Sequence, residues 1–153
     1  MTSPAKLEIR DATTADLPEI LALLGDDVLG AGREGAEIEP AHVEALRAIQ
    51  ADPNCRQLVA VESGRVVGCF QLNFLPGLSR RGSWRAQIEA VRVARHRRNG
   101  GVGAGLMRWA IEQARARGCA LVQLTTDKRR ADAHRFYRRL GFEASHEGMK
   151  LML

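Results

Sequence analysis

Residues 97–107 read RRNGGVGAGLM, two arginines and four glycines set directly ahead of an apolar run. Glycine loses more chain entropy on folding than any other residue. A cluster is therefore kept where the backbone must bend, or approach something a Cβ would block. Downstream, Gly103, Leu106, Met107, Ala110, Ile111 and Ala114 recur at helical spacing and predict a helix over 101–117, stopped by Gly118. Upstream, WRAQIEAVRVA (84–94) predicts a strand. A strand, a glycine loop and a helix in that order put unpaired backbone N–H groups and the positive end of a helix dipole at the loop. Phosphate oxygens bind in such places, and Arg95, Arg97 and Arg98 add charge. The dinucleotide spacing G-x-G-x-x-G would start at Gly101 and Gly103 but meets Leu106 where its third glycine belongs. The NTPase loop that ends in Lys-Ser or Lys-Thr is absent. A helix start with small residues for close packing is the other reading of the same glycines.

The rest of the chain fills in around this crossover. KLEIR (6–10) alternates as a strand does, and Thr13 with Asp16 resembles a capping box ahead of a helix carrying Leu17, Ile20, Leu21 and Leu24. A glycine-rich acidic loop (25–40) leads to a second helix from Pro40 to about Ala51, and two apolar runs around ESGR within 56–75 predict a hairpin. CALVQLTT (119–126) suits a strand buried on both faces. ADAHRFYRRL carries a stripe of Ala133, Phe136, Tyr137 and Leu140, and FEAS and MKLML predict two closing strands around HEG. This order predicts an α/β (α+β) chain with one domain over 1–153. Its sheet is mixed and mostly antiparallel, of about 6–7 strands, flanked on both faces by about 4 helices.

Charge is divided unevenly. Residues 1–76 hold 6 Lys/Arg against 12 Asp/Glu, and residues 77–153 hold 17 against 6. The second half is built to meet an anion, either a nucleic acid or a polyphosphate cofactor. No apolar run approaches the roughly 20 residues that cross a bilayer, and MTSPAKLEIR lacks a secretory layout, so the expectation is a cytoplasmic protein with no membrane partner. Cys55, Cys69 and Cys119 form neither a disulfide framework nor a zinc spacing and are expected to be buried, inert thiols. The four histidines show no metal-ligand spacing, so no metal is expected, and His134 is expected to be exposed.

The R-x-x-G-x-G run from Arg98 through Gly101 to Gly103, followed about 30 residues later by AHRFYRRLGF, resembles the GNAT superfamily of acyl-coenzyme-A-dependent N-acetyltransferases. The resemblance is clear from about Gln87 to Leu153. It implies a GNAT-like acyl-coenzyme A N-acyltransferase fold with acetyl-coenzyme A as cosubstrate. The loop positions Arg98, Asn99, Gly100, Gly101, Val102, Gly103 and Ala104 would then wrap its pyrophosphate. Val91, Arg92 and Val93, on the strand before the loop, would hold the pantetheine arm and the acyl carbonyl through backbone groups, with the N–H of Val91 as oxyanion donor. Tyr137, the single tyrosine, matches the family's general acid; from periodicity alone it belongs to the helix's apolar stripe.

Glu89 shares strand parity with Val91 and Val93 and would deprotonate the amine, directly or through water; a substrate-binding or structural carboxylate is the alternative. Gln87, on Glu89's face, falls where some members carry the base, and an amide cannot do that work. Arg130 stands where many members have an asparagine, and Lys128 to Arg130 are either coenzyme A phosphate ligands or a solvated charge run. Asp26, Asp27, Glu34, Glu37 and Glu39 form an acidic collar for a cationic amine or a plain surface loop. The acceptor is the primary amine of a small molecule or of a lysine side chain, and homodimers are common in the superfamily. The competing reading is a non-catalytic acyl-coenzyme A sensor or nucleic-acid-binding regulator of the same fold. RRADAHRFYRR is arginine-rich but spends one face on the core, which makes nucleic acid the weaker reading.

Overall fold

The computed structural model describes residues 6–26 and 37–153. It divides into two compact units, Met1–Gln123 and Leu124–Leu153. Among the described residues, five strands form one sheet in the order β1-β2-β3-β4-β5, namely Glu8–Asp11, Cys55–Glu62, Arg65–Leu75, Arg85–Val93 and Leu121–Leu124. The same residues hold five helices: α1 Leu17–Gly25, α2 Pro40–Ala51, α3 Ser79–Gly82, α4 Val102–Ala116 and α5 Ala131–Arg139. The sheet is thus one or two strands smaller than its sequence predicts. The extra helix, α3, is a single turn in which Arg80 and Arg81 sit at φ 54° and 62°.

Strands β1 to β4 pair antiparallel in succession. The β2–β3 hairpin turns at Ser63 and Gly64, both at positive φ. Strand β5 joins β4 in parallel: the Ala120 N–H donates to Trp84 O at 2.8 Å, and three residues on Gln123 Nε2 donates to Gln87 Oε1, also at 2.8 Å. α4 is the crossover between these two strands.

Phe70, Leu58, Leu72, Ile88, Leu106 and Met107 are fully buried and make the core. On one face of the sheet the ring of Phe70 meets that of Trp109, on α4, edge to face at 6.0 Å. On the other face Arg10, opposite Val59, forms a two-bond ion pair with Asp16 at 2.8 and 3.0 Å. Asp16 also accepts the Thr13 N–H at 2.7 Å, so one carboxylate starts α1 and ties it to β1. That arrangement matches the capping pair read from Thr13 and Asp16.

Four expectations are corrected. FEAS and MKLML form no strands, and residues 143–153 are exposed throughout. β5 and the stripe of α5 are half-buried rather than core. Of the thiols only Cys69 is buried; Cys55 and Cys119 are half-buried. His134 is half-buried as well, with Nε2 3.1 Å from Asp127 O.

Candidate functional site

Strand β4 carries an irregularity that organises the site. Val93 lies opposite Gly68 and Arg92 opposite Cys69, whereas Glu89 lies opposite Gln71 and Ile88 opposite Leu72. Phe70 on β3 therefore faces two β4 residues, Ala90 and Val91, and Ala90 adopts φ 52°. This is a β-bulge, which bends its strand and resets the side-chain alternation. Plain alternation would put Glu89, Val91 and Val93 on one face. Directly opposite residues share a face, so the bulge leaves Glu89 with Gln71, Cys69 and Arg92, and puts Val93 on the Gly68 face. The expected parity of Glu89 with Val93 is corrected.

Glu89 is exposed and its Oε1 accepts a hydrogen bond from Gln87 Nε2 at 2.8 Å. Gln87 Oε1 in turn accepts from Gln123 Nε2 at 2.8 Å. A relay of two amides from β5 through β4 thus fixes the carboxylate. Gln87 and Glu89 share a face as their spacing requires. Gln123 sits in a run of apolar residues, and only the strand pairing brings it to Gln87.

Beyond Val93 the chain makes a 3-10 turn at Arg95–Arg97 and then the glycine loop. Asn99 takes φ 63° and Gly101 φ 87°, both left-handed. A Cβ at Gly100 would stand 3.3 Å from Arg97 O, while one at Gly101 would meet nothing within 4 Å. At 100 glycine is needed for close approach, and at 101 for its dihedral. The first bond of α4 runs from the Gly105 N–H to Gly101 O at 3.0 Å. The N–H groups of Val102, Gly103 and Ala104 therefore precede the helix's own ladder and open on the loop. Arg98 donates Nε–H to Val93 O and Nη2–H to Asp26 O, each at 3.1 Å, and Arg95 Nη2 donates to Asp26 Oδ1 at 2.7 Å. The predicted residues Arg98 to Ala104 lie together with the end of β4, and free amides, open space and guanidinium charge suit a diphosphate. A groove of about 530 Å³ lies at the 3-10 turn that precedes the loop, lined in part by Glu19, Asp26, Arg65, Arg95 and His96.

The acidic loop is only partly on view. Asp26 is engaged by Arg95 and Arg98, Glu37 and Glu39 are exposed, and Asp27 and Glu34 lie outside the described residues. Among the described residues no group of three or more His, Cys, Asp or Glu could hold a metal ion, and no helix is long and apolar enough to cross a membrane.

Tyr137 lies in the second unit, half-buried on α5 between Phe136 and Phe142, with ring centroids 5.1 and 5.8 Å away. Just before α5, Arg129 is paired with Asp127 and Lys128 with Glu147, each at 2.9 Å. The Arg129 guanidinium holds the Asp127 carboxyl well below the usual carboxylate range. Burial pushes the Cys69 thiol up to about 12, with Arg92 acting in the opposite sense.

Residues 19–142 match the family model described as the acetyltransferase (GNAT) family. The chain is 34% identical over 140 residues to the aminoalkylphosphonate N-acetyltransferase of Salmonella typhimurium, covering 91% of this chain and 86% of that protein. It is 31% identical to the glucosamine 6-phosphate N-acetyltransferase of Trypanosoma brucei brucei, covering 100% of both. The crystal structure of a transcriptional regulator from Bacillus halodurans C-125 superposes with a TM-score of 0.94 at 47% identity, covering 97% of this chain and 100% of that one.

Proposed function

The chain belongs to the acetyltransferase (GNAT) family and is an acyltransferase, and from that premise we propose that it moves an acetyl group from acetyl-coenzyme A to the primary amine of a small molecule, by direct attack in a ternary complex. Acetyltransferases of this family use acetyl-coenzyme A, and its thioester supplies the acetyl group. The observation that carries the reading is the loop with Asn99 and Gly101 left-handed on either side of Gly100, opening into the start of α4. Its amides from Asn99 to Ala104, with the Arg98 guanidinium, hold the diphosphate. Val91, Arg92 and Val93, beyond the bulge, hold the pantetheine arm through their backbone.

Glu89 accepts the proton the amine must lose as its nitrogen bonds to the acetyl carbon, and Tyr137 gives a proton to the sulfur as the carbon–sulfur bond breaks. A phenol carries one O–H donor, the group that such a proton transfer needs. The family match spans both compact units, which supports treating 1–153 as one acetyltransferase domain. Two relatives act on amines of phosphorus-bearing small molecules, which supports a small-molecule acceptor over a protein lysine.

The test is thermal unfolding with and without acetyl-coenzyme A, paired with release of free thiol across a panel of amines. The panel holds 2-aminoethylphosphonate, glucosamine 6-phosphate, a polyamine and a lysine peptide. A ligand at 100 times its Kd adds about 2.7 kcal/mol, a visible rise in Tm. That rise together with thiol release on a small amine is the expected result. Release on the peptide alone would replace the acceptor class. A rise without turnover on any amine would replace the enzyme by an acyl-coenzyme A sensor, and no rise would remove the loop as the cofactor site.

A further inference from the structure

We propose that the amine acceptor is an extended, polyhydroxylated molecule whose hydroxyl groups are read by the side-chain amides of Gln57, Gln71 and Asn73. The inference rests on the proposed transfer at Glu89 and names the chemistry of the molecule that presents its amine there. The sheet register lines up two polar rows on the face that carries Glu89. Glu89 lies opposite Gln71, and Gln71 opposite Gln57. One pair along, Gln87 lies opposite Asn73, and Asn73 opposite Cys55. Opposite residues share a face, as do alternate residues of one strand.

The sheet itself needs nothing polar in these rows, because its backbone groups are paired along the ladder. Further along the same face Val59 and Cys69 are fully buried. The polar side chains begin where that cover stops: Gln57, Gln71, Asn73 and Gln87 are half-buried and Glu89 is exposed. Their amides are only partly engaged. Gln71 Nε2 donates to Asn73 Oδ1, and Gln57 Nε2 to Phe70 O, each at 3.1 Å. Among the described residues, nothing hydrogen-bonds to Gln71 Oε1, to Gln57 Oε1 or to the Asn73 amide N–H groups. Carbonyl acceptors beside an NH₂ donor match hydroxyl groups, each of which both donates and accepts. A molecule crossing β3 and β2 meets only these uncharged groups; the arginines on this face, Arg85 and Arg92, belong to β4 and lie off the two rows. Two inter-strand spacings separate Glu89 from Gln57, so the rows span about 10 Å. At the β2 end they reach a cavity of about 320 Å³, lined in part by Leu46, Ile49, Gln50, Cys55 and Gln57, which takes the far end of the molecule.

The probes are glucamine and hexylamine, which carry the same primary amine on a six-carbon chain and differ in their hydroxyl groups. Calorimetry on the full chain is expected to give a Kd for glucamine at least about tenfold below that for hexylamine. Thiol release from acetyl-coenzyme A should follow the same order in kcat/KM. Gln71→Leu and Asn73→Leu should each raise the glucamine Kd by about fivefold. Hexylamine binding as tight as glucamine binding in the wild type overturns the proposal, and that comparison needs no variant. Glucamine affinity retained by both folded variants overturns it as well. The transfer reading fails separately. Glucamine bound through Gln71 and Asn73 with no thiol released would uphold the amide rows and overturn the transfer, whereas thiol release on hexylamine as fast as on glucamine would do the reverse.

Discussion

Gln87 Nε2 donates to Glu89 Oε1 at 2.8 Å while its own carbonyl oxygen is held by Gln123, also at 2.8 Å. An exposed carboxylate on a mobile side chain would spend much of its time elsewhere. The amide relay selects one orientation, on the sheet face opposite α4. If Glu89 is the base, Glu89→Gln lowers kcat by about 10²–10⁴-fold and removes the acid limb of the pH–rate profile. Gln87→Leu leaves the carboxylate but not its orientation. It lowers kcat by a smaller factor with the KM for acetyl-coenzyme A unchanged. Steady-state kinetics across pH separates the two. Equal rates in wild type and Glu89→Gln would return Glu89 to a structural role.

Gly101 sits at φ 87° with open space where a Cβ would go. Gly101→Ala meets no clash and pays only for the left-handed backbone, about 1–2 kcal/mol, visible as a lower Tm. Gly101→Glu adds a negative charge where the loop's amides face a diphosphate. We expect it to abolish acetyl-coenzyme A binding by calorimetry while the far-ultraviolet spectrum stays native. Retained affinity would move the phosphate site off this loop.

The glycine loop was legible in the sequence because a left-handed or crowded backbone position selects glycine, and that selection is visible as a letter. The bulge at Ala90 was not: alanine at φ 52° looks like any other strand residue, and only the register against Phe70 exposes it. One unseen residue was enough to put Glu89 and Val93 on opposite faces. Gln123 was hidden in a similar way, since its partner Gln87 is 36 positions away and comes near only through the β4–β5 pairing. MKLML shows the converse. Its alternation predicts a strand, but a strand also needs a neighbouring edge, which period alone does not supply.

Asp16 accepts bonds from Arg10 and from the Thr13 N–H, which together hold its carboxyl below the usual carboxylate range despite burial. A lowered folded-state value stabilises the protein above the ordinary carboxylate pKa, and the gain is lost as pH falls through the folded value. Unfolding free energy is therefore expected to drop below about pH 4. Asp16→Asn keeps a capping side chain but loses the charge. It should cost about 1–3 kcal/mol at pH 7 and show a weaker acid dependence. Denaturant melts at pH 7 and pH 3 measure both, and an unchanged acid slope would assign the acid sensitivity to other carboxylates.

Cys69 is fully buried beneath the sheet's second face, with its thiol pushed up to about 12. Burial and the scarcity of thiolate both shield it from a thiol reagent. Titration of the native protein with a disulfide reagent should therefore modify Cys55 and Cys119, both half-buried, and reach Cys69 only on unfolding. Three equivalents consumed at one rate under native conditions would mean the face opens readily. The result also sets the protein's own background in any assay that follows thiol release.

Tyr137 packs its ring against Phe136 and Phe142, and its carbonyl oxygen accepts the Phe142 N–H at 3.1 Å. Everything structural that these contacts supply comes from the ring and the backbone, and phenylalanine reproduces both. Tyr137→Phe therefore isolates the hydroxyl. If that hydroxyl protonates the leaving sulfur, kcat falls by about 10²-fold or more, while the Kd for acetyl-coenzyme A stays near wild type. If Tyr137 is only part of the stripe on α5, both are unchanged. A fall in kcat accompanied by an equal loss of cofactor affinity would instead assign the hydroxyl to binding. Turnover and calorimetry on the same preparation distinguish these outcomes, because a lost proton donor slows the chemistry without weakening the complex that precedes it.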